Sequence, residues 1–423
     1  MSRVYLLGSE SSSECGYCKK PSTEGDPPLR TTFYMHAFAL LPAHYQHLMD
    51  RGWRRSGRTI YKPDLENSCC CHYTIRLSAT DFMPSKSMRK VVRYFGNSFV
   101  PLDPLRGSLE ASLPEIPDPL QAGTDDPFVS SICNAEKGKL HVVLEPASFS
   151  DDAFALWKKY QAKVHKDPPE KLRKTSFHNF LVDSPLISEQ GDRVAYGSFH
   201  QKYYILPSVG VKKGNSSSSN TDEAAMTEDG KDDNLNNVDE VMGDSAEEQV
   251  VDPSRGRLIA FAVLDILPDC VSSVYFCYDP ELPKQSLGVY SALREIALVR
   301  ALVKRDPRFA DFCNPMCQAL LMRYKARYKP SQLLCLDTSR WYDADSICIP
   351  KIAAALPSAK VARFAPPEDD SVDTAGPFSG NNIGVTQDTW DDKEQLKSRK
   401  VAVGEFIRLV GTRAAGEYEQ ILI

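Results

Sequence analysis

Apolar residues recur at intervals of three and four positions in two segments of the chain, and this spacing predicts two helices. The first occupies 153–164 and ends before Asp167-Pro168, because a residue that precedes proline disfavours the helical conformation. The second occupies 289–303, begins after Ser286 as its N-cap, and stops before Asp306-Pro307. Each helix is expected to bury one apolar face.

Three runs rich in β-branched and aromatic residues lie between these helices and predict strands at 196–206, 258–267 and 271–278. Pro, Gly or Asp bounds each run, so we expect the three strands to be antiparallel neighbours in one sheet. Strands followed by a long helix are typical of the α+β class, which is the fold class that the pattern predicts.

Three stretches lack the apolar periodicity that would offset the entropy of ordering them, and these stretches divide the chain. The middle one is predicted to be an insertion within the first hairpin, because the cost of closing a loop grows only logarithmically with its length. The predicted division is a Cys-rich metal-binding domain at 1–100, a Pro/acid-rich linker at 101–149, a larger domain at 150–345 with a disordered acidic insertion at 209–255, and a partly disordered C-terminal extension at 346–423.

The charge of the chain is unevenly distributed, although its formal net value is only −5. Twelve acidic residues and one lysine lie in 214–252, and eight acidic residues and one lysine lie in 366–395. The rest of the chain is therefore basic. A basic body favours a phosphate-bearing partner, since each cation that meets a phosphate releases counterions, but a solvated surface without a partner fits the charge equally well.

No apolar stretch of the sequence approaches the roughly 20 residues that span a bilayer, and the apolar run at 4–7 is too short for a signal peptide. We therefore expect a protein without membrane partners, in the cytoplasm and, as a further compartment, the nucleus. In that reducing environment the twelve cysteines are expected to remain thiols, either as metal ligands, as nucleophiles or as buried packing.

Two tight groups of cysteines predict a metal site in the N-terminal domain. Cys15 and Cys18 are separated by two residues, so one turn can present both sulfur atoms to a single ion. A second group, Cys69-Cys70-Cys71-His72, lies about fifty residues later and would close the domain around the ion. Zinc and an iron-sulfur cluster both accept four thiolates, and the spacing does not choose between them.

The sequence resembles the eukaryotic arginyl-tRNA–protein transferases. The resemblance is carried first by Cys15-Gly16-Tyr17-Cys18, by a Tyr-x-x-Leu-x-x-Arg-Gly-Trp-Arg-Arg-Ser-Gly stretch at 45–57, and by the segment 69–76. It continues, in the order of the family, through 84–87, 164–169, 196–201, much of 265–295, 322–325 and 328–331. These runs cover about half of the chain.

The resemblance implies a GNAT-like acyltransferase domain that moves arginine from arginyl-tRNA to the α-amine of proteins with N-terminal Asp or Glu, which marks them for degradation through the N-degron ubiquitin pathway. It assigns the metal to Cys15, Cys18, Cys69 and Cys70, and Cys71 then stands where the family has a proline. Because the ester of arginyl-tRNA is already activated, no coenzyme is expected.

Several residues within the matched runs are candidates for the chemistry of transfer. Asp265, in an otherwise apolar strand, is predicted either to accept the proton of the amine or to pair with the transferred arginine. Arg323 and Lys325 can bind an acidic N-terminus or a tRNA phosphate. The predicted lining of the same cleft is completed by His200, Gln201 and Tyr275, and the start of the second helix, with Ser286 and Gly288, is predicted to favour an anionic group.

One departure from the family supports a different reading. Where the family has an aromatic strand before its Met-x-Tyr-Lys motif, 308–321 reads Arg-Phe-Ala-Asp-Phe-Cys-Asn-Pro-Met-Cys-Gln-Ala-Leu-Leu, which predicts that a central strand is replaced or lost. The alternatives are a catalytically impaired, metal-bound module that binds tRNA or N-termini, and a coenzyme A dependent N-acetyltransferase. Against coenzyme A, the bulky Tyr290 is expected to hinder its approach to the helix start.

Overall fold

The computed structural model describes residues 2–15, 18, 28–98, 120, 125–137, 140–191, 193–205, 256–282, 286–306, 312–313, 325–335, 337–355, 361–365 and 420–422. The acidic insertion predicted at 209–255 lies outside the described residues, as does most of the predicted linker. None of the helices in the described ranges is long and apolar enough to cross a lipid bilayer.

The strands are β1 (Arg3–Ser12), β2 (Arg30–Ala39), β3 (Arg54–Ser56), β4 (Thr59–Asp64), β5 (Ile75–Ser78), β6 (His141–Pro146), β7 (Glu189–Gln190), β8 (Ala195–Ile205), β9 (Arg257–Ile266), β10 (Cys270–Tyr278), β11 (Phe312–Cys313), β12 (Ser331–Leu334), β13 (Trp341–Asp343) and β14 (Gln420–Leu422). The helices are α1 (Pro42–Met49), α2 (Lys86–Ser98), α3 (Pro127–Glu136), α4 (Asp151–Tyr160), α5 (Lys174–Phe177), α6 (Leu287–Arg305) and α7 (Ile349–Ala355).

Two sheets organise these elements. The N-terminal sheet has the order β14-β1-β2-β4-β3, and α1 packs on it around the buried side chains of Tyr45, Trp53 and Met35. The larger sheet has the order β13-β12-β5-β11-β10-β9-β8-β6, with β7 paired to β8. Among its described strand pairs, β10 and β11 run parallel and the others antiparallel. The architecture is a mixed α/β fold.

The two faces of the larger sheet carry different helices. On one face, α2, α3 and α6 enclose the main core, with Phe95, Ile132 and Leu298 among its buried residues. On the other face, α4 and α5 cover a second core around Trp157 and Phe261. The strands β6, β8, β9 and β10 contribute to both cores, because successive side chains of a strand point to opposite faces.

The predicted strands at 196–206, 258–267 and 271–278 are confirmed as β8, β9 and β10, which pair antiparallel in that order. Both predicted helices are also present. The first continues beyond α4 as a π-helical turn, Gln161–His165, and ends at Lys166 in the left-handed conformation. The second is α6, but Ser286 occupies its N-cap position with φ 53° and makes no capping hydrogen bond with its side chain.

The predicted domain boundaries at 100 and 149 differ from the structure. The strand β5 lies within the larger sheet, between β11 and β12, and α2 packs in the main core of that sheet. The N-terminal sheet therefore takes its strands from residues 3–64 and from β14. The predicted linker contains α3 and β6, which are integral parts of the larger body. Because α3 and β6 are short and prolines surround them, their apolar residues are too few to show a clear periodic pattern in the sequence.

The predicted C-terminal extension also contains ordered elements. Phe364 packs against Tyr73, and the Tyr73 hydroxyl donates to the Ala362 carbonyl oxygen at 3.2 Å while accepting from the Ala362 amide at 2.7 Å. At the end of the chain, β14 pairs parallel to β1. The described parts of 346–423 thus belong to both bodies.

The N-terminal sheet is joined to the larger sheet through the turn between β9 and β10. Leu267 and Cys270 of this turn are buried in the core of the N-terminal sheet. The Gln46 side chain donates to the Asp269 carboxylate at 2.6 Å and accepts from the Asp269 amide at 2.8 Å. A fixed contact therefore connects α1 to the end of β9 that carries Asp265.

Candidate functional site

The structure brings four of the five clustered cysteines together. The Sγ atoms of Cys15, Cys18, Cys69 and Cys70 all lie within 4.8 Å of one another, and those of Cys18 and Cys69 are 3.5 Å apart. Cys15 follows β1, while Cys69 and Cys70 precede β5, so the cluster lies where the N-terminal sheet passes into the larger one. The predicted ligand set can hold a metal ion.

Cys71 lies apart from this cluster. Its thiol is directed to the Leu65 carbonyl oxygen at 3.9 Å, and it packs beside the core formed around Tyr73 and Phe364.

The thiols of the cluster are protonated when no cation is bound. Burial is the main cause that raises the pKa of Cys70 to about 12, and hydrogen bonds with the Cys18 and Cys15 thiols add to it. A cation reverses this preference, because metals bind the thiolate and displace its proton.

Asp265 lies on β9 with its carboxylate fully buried and held by Arg55 from β3. The Arg55 Nε atom donates to Asp265 Oδ2 at 2.7 Å, and Nη2 donates to Oδ1 at 2.6 Å and to the Ser198 hydroxyl at 2.8 Å. Neither side chain of the pair is more than 2% exposed. The pair joins the two sheets. Burial alone would lower the pKa of Arg55, but the charge of Asp265 and the hydrogen bonds to it raise that pKa.

A buried polar cluster lies on the α6 face of the larger sheet. The Tyr203 hydroxyl donates to Gln201 Oε1 at 2.5 Å and lies 3.4 Å from the Ser291 hydroxyl. The Ser291 hydroxyl in turn donates to Glu295 Oε1 at 2.9 Å. Within the described residues, Nε2 of Gln201 is buried without a hydrogen-bond partner.

Glu295 is the acidic member of this cluster. Burial raises its pKa to about 7, and hydrogen bonds from Ser291 and Ser273 and the charges of Lys325 and Arg294 act in the opposite direction. Lys325, in the short turn Lys325–Arg327, is thus close enough to Glu295 to influence its ionisation. The cluster combines hydroxyls, an amide, a carboxyl and a cation in an otherwise apolar core.

His200 and Tyr275 do not share a cleft with Gln201. The His200 ring is fully buried on the α4 face, its Nε2 lies 2.9 Å from the Leu181 carbonyl oxygen, and burial lowers its pKa to about 4. The Tyr275 hydroxyl donates to Gln161 Oε1 at 3.3 Å on that same face. The predicted single cleft is therefore wrong, because adjacent residues of β8 point to opposite faces.

The start of α6 is open around Gly288 within the described part of the chain. A Cβ atom added at Gly288 would meet no heavy atom within 4 Å. Tyr290, however, does not crowd this position: its ring stacks on Phe95 at 3.6 Å between centroids, and its hydroxyl donates to Glu136 at 2.9 Å. The expectation that Tyr290 hinders coenzyme A there is corrected, since the ring points into the core.

The stretch 308–321 keeps a strand at the place where one was predicted to be replaced or lost. Phe312–Cys313 pairs parallel with β10 and antiparallel with β5, which links the two halves of the larger sheet. The remainder of this stretch, and Arg323, lie outside the described residues.

Two family models match the chain at different positions. The model for the N terminus of arginine-tRNA-protein transferase matches residues 13–90, and the model for the C terminus of the same protein matches residues 152–335. Together the matched segments cover more than half of the chain, and they include the four clustered cysteines, Arg55, Asp265 and the whole of α6.

Similar proteins support the same assignment. The Arginyl-tRNA--protein transferase 1 of Drosophila melanogaster is 26% identical over 457 residues, which cover 81% of this chain and 82% of that protein. The protein of the same name from Saccharomyces cerevisiae is 30% identical over 262 residues, which cover 61% of this chain and 43% of that protein. The Aspartate/glutamate leucyltransferase of Alcanivorax borkumensis is 25% identical over 313 residues, which cover 73% of this chain and 85% of that protein.

These matches place the chain among transferases that use an aminoacyl-tRNA as donor. The chain belongs to the arginine-tRNA-protein transferase family and is an arginyltransferase, which confirms the resemblance drawn from the sequence motifs. The four-thiol cluster fits the metal-binding part of that prediction.

Arg55 and Glu295 are candidate site residues that the sequence reasoning missed. Both stand inside runs that carry the family resemblance, Arg55 in the Trp-Arg-Arg stretch and Glu295 at the end of the run that continues into α6. A charged residue within an apolar helical face was the available signal for Glu295. No local signal pairs Arg55 with a carboxylate 210 positions away.

Proposed function

We propose that this arginyltransferase moves arginine from arginyl-tRNA to the α-amine of proteins that begin with Asp or Glu, and thereby marks them for degradation through the N-degron ubiquitin pathway. The observation that carries the proposal is the presence of both halves of the family in one chain. An acidic acceptor is supported by the similarity to a bacterial enzyme named for aspartate and glutamate, which differs in the amino acid it transfers.

A GNAT-like arrangement of the larger body is supported by its β10–α6–β11 unit. Here two parallel strands flank a long helix within a sheet whose other described pairs are antiparallel. The helix α6 begins nine residues after the end of β10, and the dipole at its N-terminus can stabilise negative charge on the ester oxygen during attack. The acidic insertion is proposed to lie between β8 and β9, within this domain.

We propose that the four clustered thiolates hold one structural ion. Tetrahedral zinc binds sulfur at about 2.3 Å, which places the sulfurs of one site about 3.8 Å apart. The observed spread within 4.8 Å fits such a mononuclear site and favours zinc over an iron-sulfur cluster, whose several iron atoms separate the thiolates more widely. The ion would brace the segments that enter β5.

The chemistry of transfer needs a proton acceptor for the attacking amine. Glu295 suits this role, since a carboxyl of pKa about 7 is matched to an α-amine of pKa about 7.7–8.0, and the Ser291 hydroxyl can relay the proton. Glu295→Gln is then expected to lower kcat while leaving KM for arginyl-tRNA unchanged. The proton-accepting role predicted for Asp265 remains a prediction, and the ion pair with Arg55 favours a positioning role instead.

Recognition of the acidic N-terminus is proposed to fall to cations beside this cluster. Lys325 lies near Glu295. Arg323 precedes Lys325 by two positions in the chain. A guanidinium binds a carboxylate through two parallel hydrogen bonds, so Arg323 is suited to an Asp or Glu side chain. We place the enzyme in the cytoplasm and the nucleus, where such N-termini and charged tRNA meet.

The proposal is tested by supplying tRNA charged with labelled arginine and peptides that begin with Asp, Glu or Ala. Label is expected on the Asp and Glu peptides and not on the Ala peptide. Leucyl-tRNA serves as the matched donor control and is expected to transfer nothing. Binding of tRNA without transfer would assign the catalytically impaired alternative, and acetylation in the presence of acetyl-coenzyme A would assign the N-acetyltransferase.

A further inference from the structure

The exposed face of α2 carries four cations and has no part in the site described above. Lys86, Arg89, Lys90 and Arg93 are spaced at helical intervals of three and four positions, and all four side chains are exposed. The helix Lys86–Ser98 contains no acidic residue. Because residues at this spacing lie on one side of a helix, the four charges form a single basic stripe.

The opposite face of α2 holds this stripe in a fixed orientation. Met88, Val92 and Phe95 are buried in the main core. Gly96 permits a close approach to α3, since a Cβ atom at that position would lie 3.1 Å from the Ala135 Cα atom. The stripe is therefore presented by a packed element of the larger body.

A cleft of about 660 Å³ lies beside the stripe. Apolar side chains of Phe82, Met83 and Phe128 line it, and Arg89 and Arg93 stand at its edge. A volume of this size is within the range of sites for small ligands. Since Met83 is 76% exposed, an aromatic ring that entered the cleft would find apolar surface that water now covers.

Arg300 of α6 fixes the wall of the cleft. Its Nε atom donates to the Ala79 carbonyl oxygen at 2.6 Å, and Nη2 donates to the Phe82 carbonyl oxygen at 2.5 Å. Its Nη1 atom donates to the Asp126 carboxylate at 3.2 Å, which joins the loop before α2 to the start of α3. The cleft is preformed, because these contacts hold both of its sides.

We propose that the basic stripe and this cleft bind the single-stranded end of tRNA, with backbone phosphates on the stripe and one unstacked base in the cleft. Proteins that bind single-stranded nucleic acid combine a cationic track with apolar or aromatic surfaces for the bases, and both parts are present here. An acidic peptide would satisfy the charges but leave the cleft unused. The inference rests on the proposed function, which makes tRNA the donor.

The residues that line the cleft do not include the polar cluster around Glu295. Arg300 follows Glu295 by five positions on α6, which is about 7.5 Å along the helix axis, and its side chain is held by the loop before α2 and the start of α3. Changes at the stripe should therefore affect tRNA binding without disturbing the polar cluster around Glu295.

The test measures binding of an uncharged arginine tRNA transcript by fluorescence anisotropy, beside the same transcript without its unpaired 3′ end. The wild-type protein is expected to bind the full transcript more tightly. Lys90→Gln combined with Arg93→Gln should weaken binding roughly tenfold at low salt and reduce the slope of log affinity against log salt by about 1.4, since each phosphate contact on a single strand contributes about 0.7. The control is Lys171→Gln with Arg173→Gln, two exposed cations elsewhere, which should bind as the wild type does.

The cleft is tested at Asn134, an exposed residue of its lining. Asn134→Trp should obstruct the cleft and abolish the preference for the full transcript, while Asn134→Ala should keep it. Equal wild-type affinity for both transcripts, or unchanged binding in the Lys90/Arg93 variant, would overturn the inference. Because the transcript is uncharged, failure of transfer would count against the proposed function and leave this measurement intact.

Discussion

The ion pair between Arg55 and Asp265 ties together residues 210 positions apart and leaves no part of either charge in water. The attraction between buried charges repays their desolvation only while both partners are present. The pair therefore matters for joining the sheets, whatever further role Asp265 has.

Arg55→Ala is expected to lower the free energy of unfolding by about 3–5 kcal/mol, because it leaves the Asp265 carboxylate buried without a partner. The double variant Arg55→Met with Asp265→Leu should recover most of that loss, as no isolated charge remains. Urea unfolding at pH 7 measures both. A loss under 1 kcal/mol for Arg55→Ala would show that the pair is dispensable, and transfer by the folded double variant would exclude Asp265 as proton acceptor.

Glu295 predicts a pH-dependent stability. Its pKa is raised from 4.5 to about 7 in the folded state, so the fold retains a proton that the unfolded chain releases in this window. The contribution of Glu295 to stability is fully present below pH 4.5 and is lost as pH rises through 7, with a total loss of up to ~3 kcal/mol. Glu295→Gln should remove this component, and the difference in unfolding free energy between the two proteins at pH 5 and pH 8 measures it. An unchanged difference would contradict the assigned pKa.

The groups of the described residues that face Glu295 include Ser291 and Arg294 on its own helix, Ser273 on β10, Lys325, and Tyr203 on β8, whose pKa is raised by burial and by the charge of Glu295. Serine hydroxyls do not titrate in this range. The predicted inflection therefore belongs to Glu295.

Sequence reasoning succeeded at residues whose partners are close in the chain and failed where packing decides. The Cys15 and Cys18 pair follows from spacing alone. His200 and Gln201 are adjacent in β8, so strand alternation alone predicts that they point to opposite faces of the sheet. The face on which the candidate site lies is determined by the packing of α6, which the sequence does not show. The pairing of Arg55 depends on the docking of two sheets, which no local pattern records.

At the scale of elements, long periodic segments were predictable and short ones were not. The strands β8, β9 and β10 each have nine or more residues, enough for their apolar pattern to stand out. By contrast, β5 has four residues and β11 has two, too few to show a period of two. These short strands are held by their neighbours in the sheet, so only the assembled structure reveals them.

The loop that precedes β5 predicts a distinction among adjacent cysteines. Cys15→Ser or Cys69→Ser should release the bound ion, because each removes one of four ligands, whereas Cys71→Ser should retain it, since that thiol faces the Leu65 carbonyl. Metal content per chain, measured by mass spectrometry after dialysis, distinguishes these outcomes. If Cys71→Ser lost the ion and Cys69→Ser retained it, Cys71 and not Cys69 would be the metal ligand.

The hairpin of β3 and β4 turns at Gly57 against the chain at Asn179. Gly57 has φ +57°, and a Cβ atom there would lie 2.0 Å from the Asn179 carbonyl oxygen. Gly57→Ala is expected to cost about 2–4 kcal/mol from backbone strain and overpacking. Gly288→Ala is the control, because a Cβ at that helical position meets nothing and should be neutral or stabilising. Similar melting temperatures for the two variants would refute the close contact.

For the whole molecule, the distribution of charge predicts how the enzyme distinguishes RNA. The segment 214–252 holds twelve acidic residues and one lysine, while the rest of the chain outside the two acidic stretches is basic. Deleting 214–252 is expected to raise affinity for unrelated RNA at low salt, with the difference shrinking as salt screens the charges. Filter binding with a random RNA at two salt concentrations measures this effect, and equal affinities before and after deletion would exclude it.

The strand β1 is synthesised about 400 residues before β14, the strand that pairs with one of its edges. At about 5–20 residues per second, translation keeps these two ends apart for tens of seconds. During that time one edge of β1 has no neighbour, and its exposed Tyr5 and Leu7 flank open backbone groups that other chains can join. Chains that terminate before β14 would keep this edge of β1 unpaired and are expected to aggregate more readily than chains that contain β14.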